Sequence, residues 1–431
     1  MSAPSVAVAD DTVELESALS DTVLRQLMAV GQVDVLVWLP TLDNATTVVD
    51  VVRAVNASFA RDLPRLRTVM ITSDGGSTDG TPELIRGVAS SDGDMVLTSH
   101  SLRTLHRVVA PYHGLPGKHT ALRTIFAAAD LTRAKTLVVL DPCGPATTPE
   151  RVTELISPIA RAHVEFLAPR YPRHPRDGLL VTQLARPLVR ALYGVALDEP
   201  LGAEFSCSGR FASHCLEQEI WHHESARFAI DLWLRTEAVA RGFTVGQAWR
   251  PPPTAGGGRT SLREAVQQVL LALIDSLRAH DRFWTAATGV AELPAWGEKP
   301  KDAPLAPAWN HQALAGQARH DIVELRPLLE QVLATTLLAR LMEKVSCEDA
   351  PLDDELWVST VYAFLAATRQ QRIAVEHLAA MFVPIYSWRA SAFMAHTSRE
   401  PAAVVQARLD SLGQAFERLK PVLVNNWSAA V

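Results

Sequence analysis

Short apolar segments that alternate with helical periodicity constrain the fold of this 431-residue chain most strongly. The first, residues 33–39, is apolar apart from Asp34 and stops at Pro40, as a strand buried on both faces of a parallel sheet does. Further strands are expected at residues 67–72, 95–98 and 136–140, and helices at 11–31, 46–57, 81–89 and 121–129. Strands that alternate with helices predict an α/β domain with a parallel sheet.

This pattern changes after a run of breaker residues. Residues 251–258 read Pro-Pro-Pro-Thr-Ala-Gly-Gly-Gly, which neither a helix nor a central strand accommodates. Beyond it, helical spacing predicts helices at residues 262–283, 320–345, 353–367, 372–381 and 402–423, with an extended proline-rich connection at 293–307. We therefore predict two units: an α/β domain at residues 1–255 and a helical C-terminal region at 256–431.

Composition narrows the class of protein. Hydrophobic residues make up 48% of the chain and charged residues 20%, which indicates a folded core. The net charge of −6 disfavours a nucleic-acid partner. No apolar run approaches the roughly 20 residues of a membrane helix, and residues 1–11 lack the basic start of a signal peptide.

The four cysteines form no CxxC pair, so we expect a reduced, cytoplasmic protein. A homodimer is a further expectation.

The most informative loop is residues 73–81, Ser-Asp-Gly-Gly-Ser-Thr-Asp-Gly-Thr, between a predicted strand and a predicted helix. Ligands of open α/β sheets bind beyond the carboxyl ends of the strands. Asp74 could accept hydrogen bonds from a nucleobase or ribose there, and Gly75 would let the backbone approach a ligand closely. A turn followed by a helix N-cap explains the same residues equally well.

Two further connections carry candidate ligand-binding residues. Asp141 follows the apolar strand at 136–140 and could hold a divalent cation, but Cys143 at the second position of the acid pair suits magnesium poorly. A single aspartate that caps a turn is the simpler interpretation. Lys118 lies in a glycine-bearing loop before a predicted helix, a position that suits phosphate. The Walker A spacing is absent, and an exposed loop lysine is the alternative.

Arginines cluster in the middle of this acidic chain. Guanidinium groups bind carboxylates and phosphates bidentately, so the cluster favours an anion-binding surface, although any single arginine alone is better explained as solvated. Five lie within 21 residues: Arg170, Arg173, Arg176, Arg186 and Arg190.

Residues 222–224, His-His-Glu, invite a zinc interpretation. Adjacent residues of a helix do not face one way, and the sequence offers no HExxH or CxxC companion. A polar helix start is the preferred interpretation.

Taken together and in this order, the segments resemble the GT-A-fold glycosyltransferases, in particular the branch with glucosyl-3-phosphoglycerate synthase and mannosylglycerate synthase. The resemblance covers roughly residues 33–280. Besides the 73–81 loop, its marks are Leu-Pro-Thr at 39–41, Gly-Lys at 117–118, Leu-Asp at 140–141, Ala-Pro-Arg-Tyr at 168–171, Pro-Leu-Gly-Ala-Glu-Phe at 200–205 and Ala-Arg-Phe-Ala-Ile-Asp-Leu-Trp at 226–233.

The resemblance implies a nucleotide-diphosphate sugar as donor and a retaining transfer of hexose to a small acidic acceptor, glycerate or phosphoglycerate. It assigns the donor nucleotide to Pro40, Asp74, Gly75, Lys118 and Asp141, with Asp141 as ligand of an Mg²⁺ or Mn²⁺ ion. It assigns the acceptor to Arg170, Tyr171, Arg173, His174 and Asp177. It also places Glu204 and Asp231 among the catalytic residues.

Two departures from the family pattern concern the metal. The pattern has Asp-X-Asp where this chain reads Asp-Pro-Cys at 141–143, and it has a histidine in a region that here, at 246–253, contains none. A guanidinium can stabilise a leaving diphosphate in place of an ion, so Arg250, together with Arg259, is predicted to take that catalytic role. The alternatives are a transferase-like protein that binds without turnover and, less favoured, an interaction protein that works through its helical region.

Overall fold

An eight-stranded mixed sheet forms the frame of the molecule. The structure is a computed structural model and describes residues 21–95, 106–111, 118–142, 147–222, 226–251, 261–300, 311–347 and 352–429. Within these ranges the strands are β1 (Val35–Thr41), β2 (Thr68–Asp74), β3 (His106–Pro111), β4 (Thr136–Val139), β5 (Phe166–Arg170), β6 (Val195–Ala196), β7 (Phe205–Ser208), β8 (Val245–Trp249), β9 (Ala291–Glu292) and β10 (Ala295–Trp296).

Helices cover both faces of this sheet and form the C-terminal region. They are α1 (Asp21–Val30), α2 (Val48–Arg61), α3 (Thr81–Met95), α4 (Lys118–Leu131), α5 (Pro149–Ala160), α6 (Arg186–Tyr193), α7 (Gly209–Leu216), α8 (Ala226–Ala240), α9 (Leu262–Ala279), α10 (Asp281–Ala286), α11 (His311–Glu324), α12 (Arg326–Leu329), α13 (Thr335–Ser346), α14 (Asp354–Gln370), α15 (Val375–Thr397) and α16 (Ala402–Ala429). A π-helical turn at Val181–Ala185 leads into α6, and a 3₁₀ turn spans Glu219–His222.

The strand order is β3-β2-β1-β4-β7-β5-β8-β10. Neighbouring strands are parallel except around β7, which runs antiparallel to both β4 and β5. The chain winds outward from β1 to β3 and then returns to place β4 on the other side of β1. The winding direction therefore reverses between β1 and β4, and such a reversal opens a ligand-binding crevice at the carboxyl ends of the two strands.

Burial of β1 on both faces explains its continuous apolar sequence. Val35, Val37 and Leu39 pack into one hydrophobic core with residues of α2 and α5. Leu36 and Trp38 point to the opposite face and pack into the second core with residues of α4. Because successive side chains of a strand alternate between faces, a strand covered by helices on both sides must be apolar throughout.

Pro40 lies near the carboxyl end of this central strand, where a missing N–H is tolerated. The Leu140 N–H donates to the carbonyl oxygen of Trp38 at 3.0 Å, so residue 38 uses its backbone groups toward β4. Because the backbone groups of a strand alternate in direction with a period of two residues, those of Pro40 also point toward β4. They lie beyond Val139, the last paired residue of β4. The proline therefore removes no hydrogen bond from the ladder and lies at the β1–β4 crevice.

The helical C-terminal region packs directly on the α/β part. A single hydrophobic core contains residues of both, and β10, from beyond residue 256, extends the sheet by pairing with β8. At the junction, Trp357 Nε1 donates to the backbone oxygen of Gln183 at 3.0 Å, and Arg389 Nε donates to the Gln183 side-chain oxygen at 2.9 Å. The domain boundary between residues 255 and 256 stays a prediction. The mixed sheet and the larger hydrophobic core both include residues from either side of it.

Helix α15 lies inside the helical region and buries residues around its whole circumference, including Trp388 and Arg389. Its length and apolar character come from packing against α9, α11 and α14. Within the described part of the chain, no helix is long and apolar enough to cross a membrane.

Three expectations from the sequence are corrected. The sheet is mixed rather than wholly parallel, because β7 is antiparallel to its neighbours. The strand expected at 95–98 is wrong at Met95, which is the last residue of α3. Residues 96–105 lie outside the described ranges. The strand that pairs with β2 is β3. The single helix expected at 320–345 is divided into α11, α12 and α13, since Pro327 in the first turn of α12 cannot continue an existing helix.

A buried carboxylate connects α8 to its neighbours. Glu237 accepts hydrogen bonds from His280 Nε2 at 2.5 Å, His214 Nε2 at 2.7 Å and Arg241 Nε at 2.9 Å. Burial alone would raise the pKa of Glu237, but the hydrogen bonds from His280 and His214 outweigh it and lower the pKa to about 2.

Because the folded state lowers the pKa of Glu237, the stabilisation it provides is complete above its ordinary pKa near 4.5 and is lost as the pH falls toward about 2. We expect the free energy of unfolding to lose about 3 kcal/mol from this group over that interval. Urea unfolding between pH 5 and pH 2 checks this: Glu237→Gln should flatten the acid slope, whereas Glu83→Gln, on the exposed face of α3, should not. Parallel slopes for both variants would contradict the assignment.

Candidate functional site

Six polar residues from six strands meet at one edge of the sheet. Thr41 ends β1, Asp74 ends β2 and Arg170 ends β5; Asp141 follows β4 and Arg250 follows β8; Glu204 precedes β7. Because β7 runs opposite to the others, its start lies at the edge where the parallel strands have their carboxyl ends. This edge flanks the β1–β4 reversal, so the fold itself gathers the predicted donor and catalytic residues there.

The loops after β1 and β2 interlock through side-chain and backbone hydrogen bonds. The Gly75 N–H donates to the Thr41 carbonyl at 2.7 Å, the Asp43 N–H donates to Ser77 Oγ at 2.8 Å, and the Asn44 N–H donates to Thr81 Oγ1 at 2.9 Å. A Cβ on Gly75 would lie 3.4 Å from the Thr41 oxygen, an ordinary van der Waals contact, so the close approach of a ligand to Gly75 stays a prediction. The two loops thus form one rigid wall of the crevice.

Asp74 holds this wall together. Its carboxylate accepts from Thr41 Oγ1 at 2.9 Å, Ser77 Oγ at 2.5 Å, and the N–H groups of Gly76 and Ser77 at 3.0 and 2.8 Å. Burial raises its pKa, but these hydrogen bonds, led by Ser77, outweigh burial and lower it. All four acceptor positions of the carboxylate are used, so Asp74 shapes the loop, and its contact with a nucleobase stays a prediction.

Glu204 and Arg250, both predicted to be catalytic, form a buried ion pair. Arg250 Nε donates to Glu204 Oε2, and Arg250 Nη2 donates to Oε1 at 3.1 Å. Arg250 is 3% exposed and Glu204 5%. The Arg250 N–H also donates to the Arg170 carbonyl at 2.9 Å, and Nη1 donates to the Arg151 carbonyl at 3.0 Å. The guanidinium is therefore fixed in place, and its charge is balanced within the protein.

Arg235 is a site residue that the sequence interpretation missed. It is fully buried, with Nη2 donating to the Gly202 carbonyl at 2.6 Å and to the Glu204 carbonyl at 3.3 Å. Nη1 donates to the Asp231 carbonyl at 2.7 Å and lies 3.8 Å from the Asp231 carboxylate. Arg235 thus positions the segment before β7 relative to α8. The available signal was the spacing of Asp231 and Arg235, four residues apart with Leu-Trp-Leu between them, because a charge buried in a helix needs a partner.

The predicted acceptor loop begins at the same edge and is braced internally. Arg173 binds Glu199 bidentately, with Nε at 2.5 Å and Nη2 at 2.9 Å from the carboxylate oxygens, and its Nη1 contacts Asp177 at 3.0 Å. Burial raises the pKa of Tyr171, and the negative charges of Glu204, Glu199 and Asp141 raise it further. Arg173 and Asp177 therefore stabilise the loop that contains Tyr171.

Arg170 and His174 are the other predicted acceptor residues. The Arg170 guanidinium stacks 4.5 Å from the ring centroid of Trp249 and pairs with Asp198 at 2.5 Å. His174 Nδ1 accepts from the Arg176 N–H at 3.2 Å, and burial, followed by the charge of Arg176, lowers its pKa. A neutral imidazole that accepts through Nδ1 presents its Nε2–H as a donor.

The remaining arginines of the cluster serve structural contacts. Arg176 Nη2 donates to the carbonyls of Thr397 and Glu400 at the end of α15. Arg186 Nε donates to the Asp198 carbonyl at 2.8 Å, and Arg190 Nε donates to Glu417 at 2.6 Å. Arg176 and Arg190 therefore fasten the helical region to the α/β part, and acceptor binding by the cluster stays a prediction.

The predicted metal site has one described candidate ligand, Asp141. Asp141 lies at the crevice, whereas Cys143 lies outside the described residues. In the part of the chain that the structure describes, no three His, Cys, Asp or Glu side chains come close enough to hold an ion. Asp141 is one oxygen donor of the six or more that a divalent cation prefers, and the metal site stays a prediction.

Two other sequence predictions have partial outcomes. Lys118 is the first residue of α4, so the predicted helix start is confirmed, while its phosphate contact stays a prediction. Residues 223–225 and Arg259 lie outside the described ranges.

Comparisons with known proteins were made by sequence and by structure. No protein-family model matches the chain, and no curated protein matches it. Among solved structures, the chain is similar to glucosyl-3-phosphoglycerate synthase from Mycobacterium tuberculosis in complex with Mn²⁺, uridine diphosphate and glucosyl-3-phosphoglycerate: 19% identity, 60% of this chain, 83% of that chain and a TM-score of 0.42. The same enzyme with Mn²⁺, uridine-diphosphate-glucose and phosphoglyceric acid gives 18%, 60%, 84% and 0.41, and a mycobacterial protein gives 20%, 60%, 78% and 0.42.

Proposed function

We propose that the chain is a glycosyltransferase that binds a nucleotide-diphosphate sugar at the carboxyl edge of its sheet and transfers the hexose to a small acidic acceptor. One observation supports this most: Thr41, Asp74, Asp141, Glu204 and Arg250 lie along one edge, beside the β1–β4 reversal where α/β proteins bind nucleotides. The sequence resemblance supplies the class of donor, since its motifs fall at the same edge.

The proposed arrangement has two sides. The crevice between β1 and β4, near Pro40 and Asp141, holds the nucleotide, and the loop with Arg170, Tyr171 and His174 holds the acceptor. In the transfer, the bond between the anomeric carbon and the diphosphate oxygen breaks and the electron pair leaves with the diphosphate. A bond from the anomeric carbon to the acceptor hydroxyl oxygen forms, and the hydroxyl proton passes to the departing diphosphate. Retention of configuration comes from the resemblance and is part of the proposal.

A second candidate is a protein that binds the donor without turnover. The buried pair of Arg250 with Glu204 favours it, because each group already has a bidentate partner and neither faces a reactant unopposed.

A transfer assay separates the two candidates. The purified chain is incubated with glucose or mannose linked to uridine, guanosine or adenosine diphosphate, together with glycerate or 3-phosphoglycerate, and products are identified by mass spectrometry. We expect one donor to yield a glycosylated acid, and none to glycosylate glycerol, the uncharged control. Donor binding without product would support the second candidate, and neither binding nor product would contradict both.

A further inference from the structure

The carboxyl edge of the sheet extends past β8, because β10 runs parallel to β8 and ends at the same edge. Its last residue, Trp296, packs against Gly246 of β8, where even a Cβ would collide with the indole ring. This contact seats β10 on the sheet. Residues 297–300 therefore leave β10 beside Trp249, the last residue of β8, whose register partner on β5 is Arg170.

A turn at Gly297 directs this segment along the edge. Gly297 has φ +80°, a left-handed conformation that favours glycine, and a Cβ there would lie 2.7 Å from Glu154 Oε2 on α5. Two residues later, Lys299 Nζ lies 5.5 Å from the ring centroid of Trp249. An exposed cation–π contact is worth about 0.5–1 kcal/mol, so it orients the ammonium and leaves its hydrogen-bond donors available.

Two cations thus share one half-buried indole, since the Arg170 guanidinium lies 4.5 Å from the same ring centroid. Arg170 comes from the predicted acceptor loop, and its backbone carbonyl accepts from the N–H of Arg250, the partner of Glu204. Lys299 therefore lies at the rim of the proposed acceptor site, although it comes from a distant part of the chain.

The arginines at this site are already paired with carboxylates. They are Arg170, Arg173 and Arg186, and their partners are Asp177, Asp198 and Glu199. Lys299 is exposed, and no carboxylate of the described residues forms an ion pair with it. Three arginines are thus balanced by three acids, and Lys299 carries the positive charge that remains.

This difference decides which cation an incoming anion meets at least cost. Binding to Arg173 would require the anion to displace the bidentate carboxylate of Glu199, which is fully buried. Binding to Lys299 displaces only water. A carboxylate or a phosphate on Lys299 also reduces the repulsion between its ammonium and the Arg170 guanidinium.

We infer that Lys299 is a further acceptor-binding residue, whose ammonium binds an anionic group of the acceptor at the Trp249 ring beside Arg170. This inference rests on the proposed function. It makes the acceptor site a composite of β5, β8 and the segment after β10, and it assigns to Lys299 the preference for an acid over an uncharged alcohol.

Transfer kinetics and calorimetric titration of the full chain test the inference with 3-phosphoglycerate, glycerate and glycerol 3-phosphate. We expect Lys299→Gln to raise the acceptor KM and dissociation constant about tenfold, the effect of one exposed charge-assisted hydrogen bond. The kcat and the donor affinity should not change, because the contact is made equally before and during transfer. Lys299→Arg keeps the charge and the stacking and should restore acceptor binding.

The three acids show which group Lys299 binds. A loss confined to 3-phosphoglycerate and glycerol 3-phosphate assigns it to the phosphate, and a loss confined to 3-phosphoglycerate and glycerate assigns it to the carboxylate. Either result supports the inference.

The matched controls lie at the opposite edge of the same sheet. Exposed Lys135 precedes β4 and pairs with Asp34 at 2.9 Å, and exposed Arg210 follows β7 and contacts Glu165 at 2.6 Å. Lys135→Gln and Arg210→Gln should leave the acceptor KM and dissociation constant unchanged. Thermal unfolding is recorded for each variant to show that it is folded.

Each outcome decides a different claim. Transfer with the same acceptor KM in Lys299→Gln, or with an equal rise in Lys135→Gln, would overturn the inference while the proposed function stands. Absence of transfer from every donor would overturn the proposed transfer, and the titration then decides alone. An acid that binds wild type and Lys299→Gln equally, or binds neither, would overturn the inference as well.

Discussion

Arg250→Ala is expected to lower the free energy of unfolding by about 3–5 kcal/mol, because it leaves the buried Glu204 carboxylate without its partner. Sugar transfer should be lost with it if Arg250 has its predicted role of stabilising the leaving diphosphate. Urea unfolding at neutral pH measures the first effect. The exposed counterpart, Arg210→Ala, should cost less than about 1 kcal/mol.

A double variant separates stability from function. Arg250→Met combined with Glu204→Leu removes both charges and keeps the volume, so much of the stability should return. Donor binding should not return, because neither replacement can carry the charge. A double variant that regains donor affinity would show that Arg250 is structural only.

Arg235→Met is the second change with a large expected effect. It removes the hydrogen bonds to the carbonyls of Gly202 and Glu204, and buried carbonyls left unsatisfied cost about 1–3 kcal/mol each. We expect a loss of about 3–5 kcal/mol in the free energy of unfolding. The segment before β7 should also shift, and with it the Glu204 side chain.

The turnover number then distinguishes positioning from folding. In conditions where Arg235→Met stays folded, we expect kcat to fall more than tenfold with little change in donor affinity, since Arg235 is not proposed to touch the donor. Arg86→Met, an exposed arginine on α3, is the matched control for stability and activity. Unchanged kcat in folded Arg235→Met would contradict the positioning role.

Residue types at the ends of strands were predictable from the sequence. Apolar segments that stop at Pro40, Asp74 and Asp141 place these residues at one edge of any parallel sheet, and the structure puts them there. The position of Glu204 was not predictable in this way, because only the antiparallel direction of β7 brings the residue to that edge. Strand direction depends on pairing between distant segments, which spacing along one chain does not determine.

The partners of charged residues were the least predictable feature. The sequence favoured an anion-binding surface at residues 170–190, but Arg173 binds Glu199, and Arg190 binds Glu417 from α16. Such contacts join residues up to 227 positions apart, and nothing local in the sequence specifies them. Arg235 was foreseeable in principle, because Asp231 stands four residues before it on the same helix and a buried charge requires a partner.

Hydrogen–deuterium exchange with and without the nucleotide sugar identified in the transfer assay tests the central claim most directly, since it reports where the donor binds. We predict added protection at residues 39–47, 73–81, 168–171 and 203–206, the segments at the carboxyl edge of the sheet. We predict no change at 361–370, in α14 of the helical region. Protection confined to the helical region, with none at the carboxyl edge, would contradict this account.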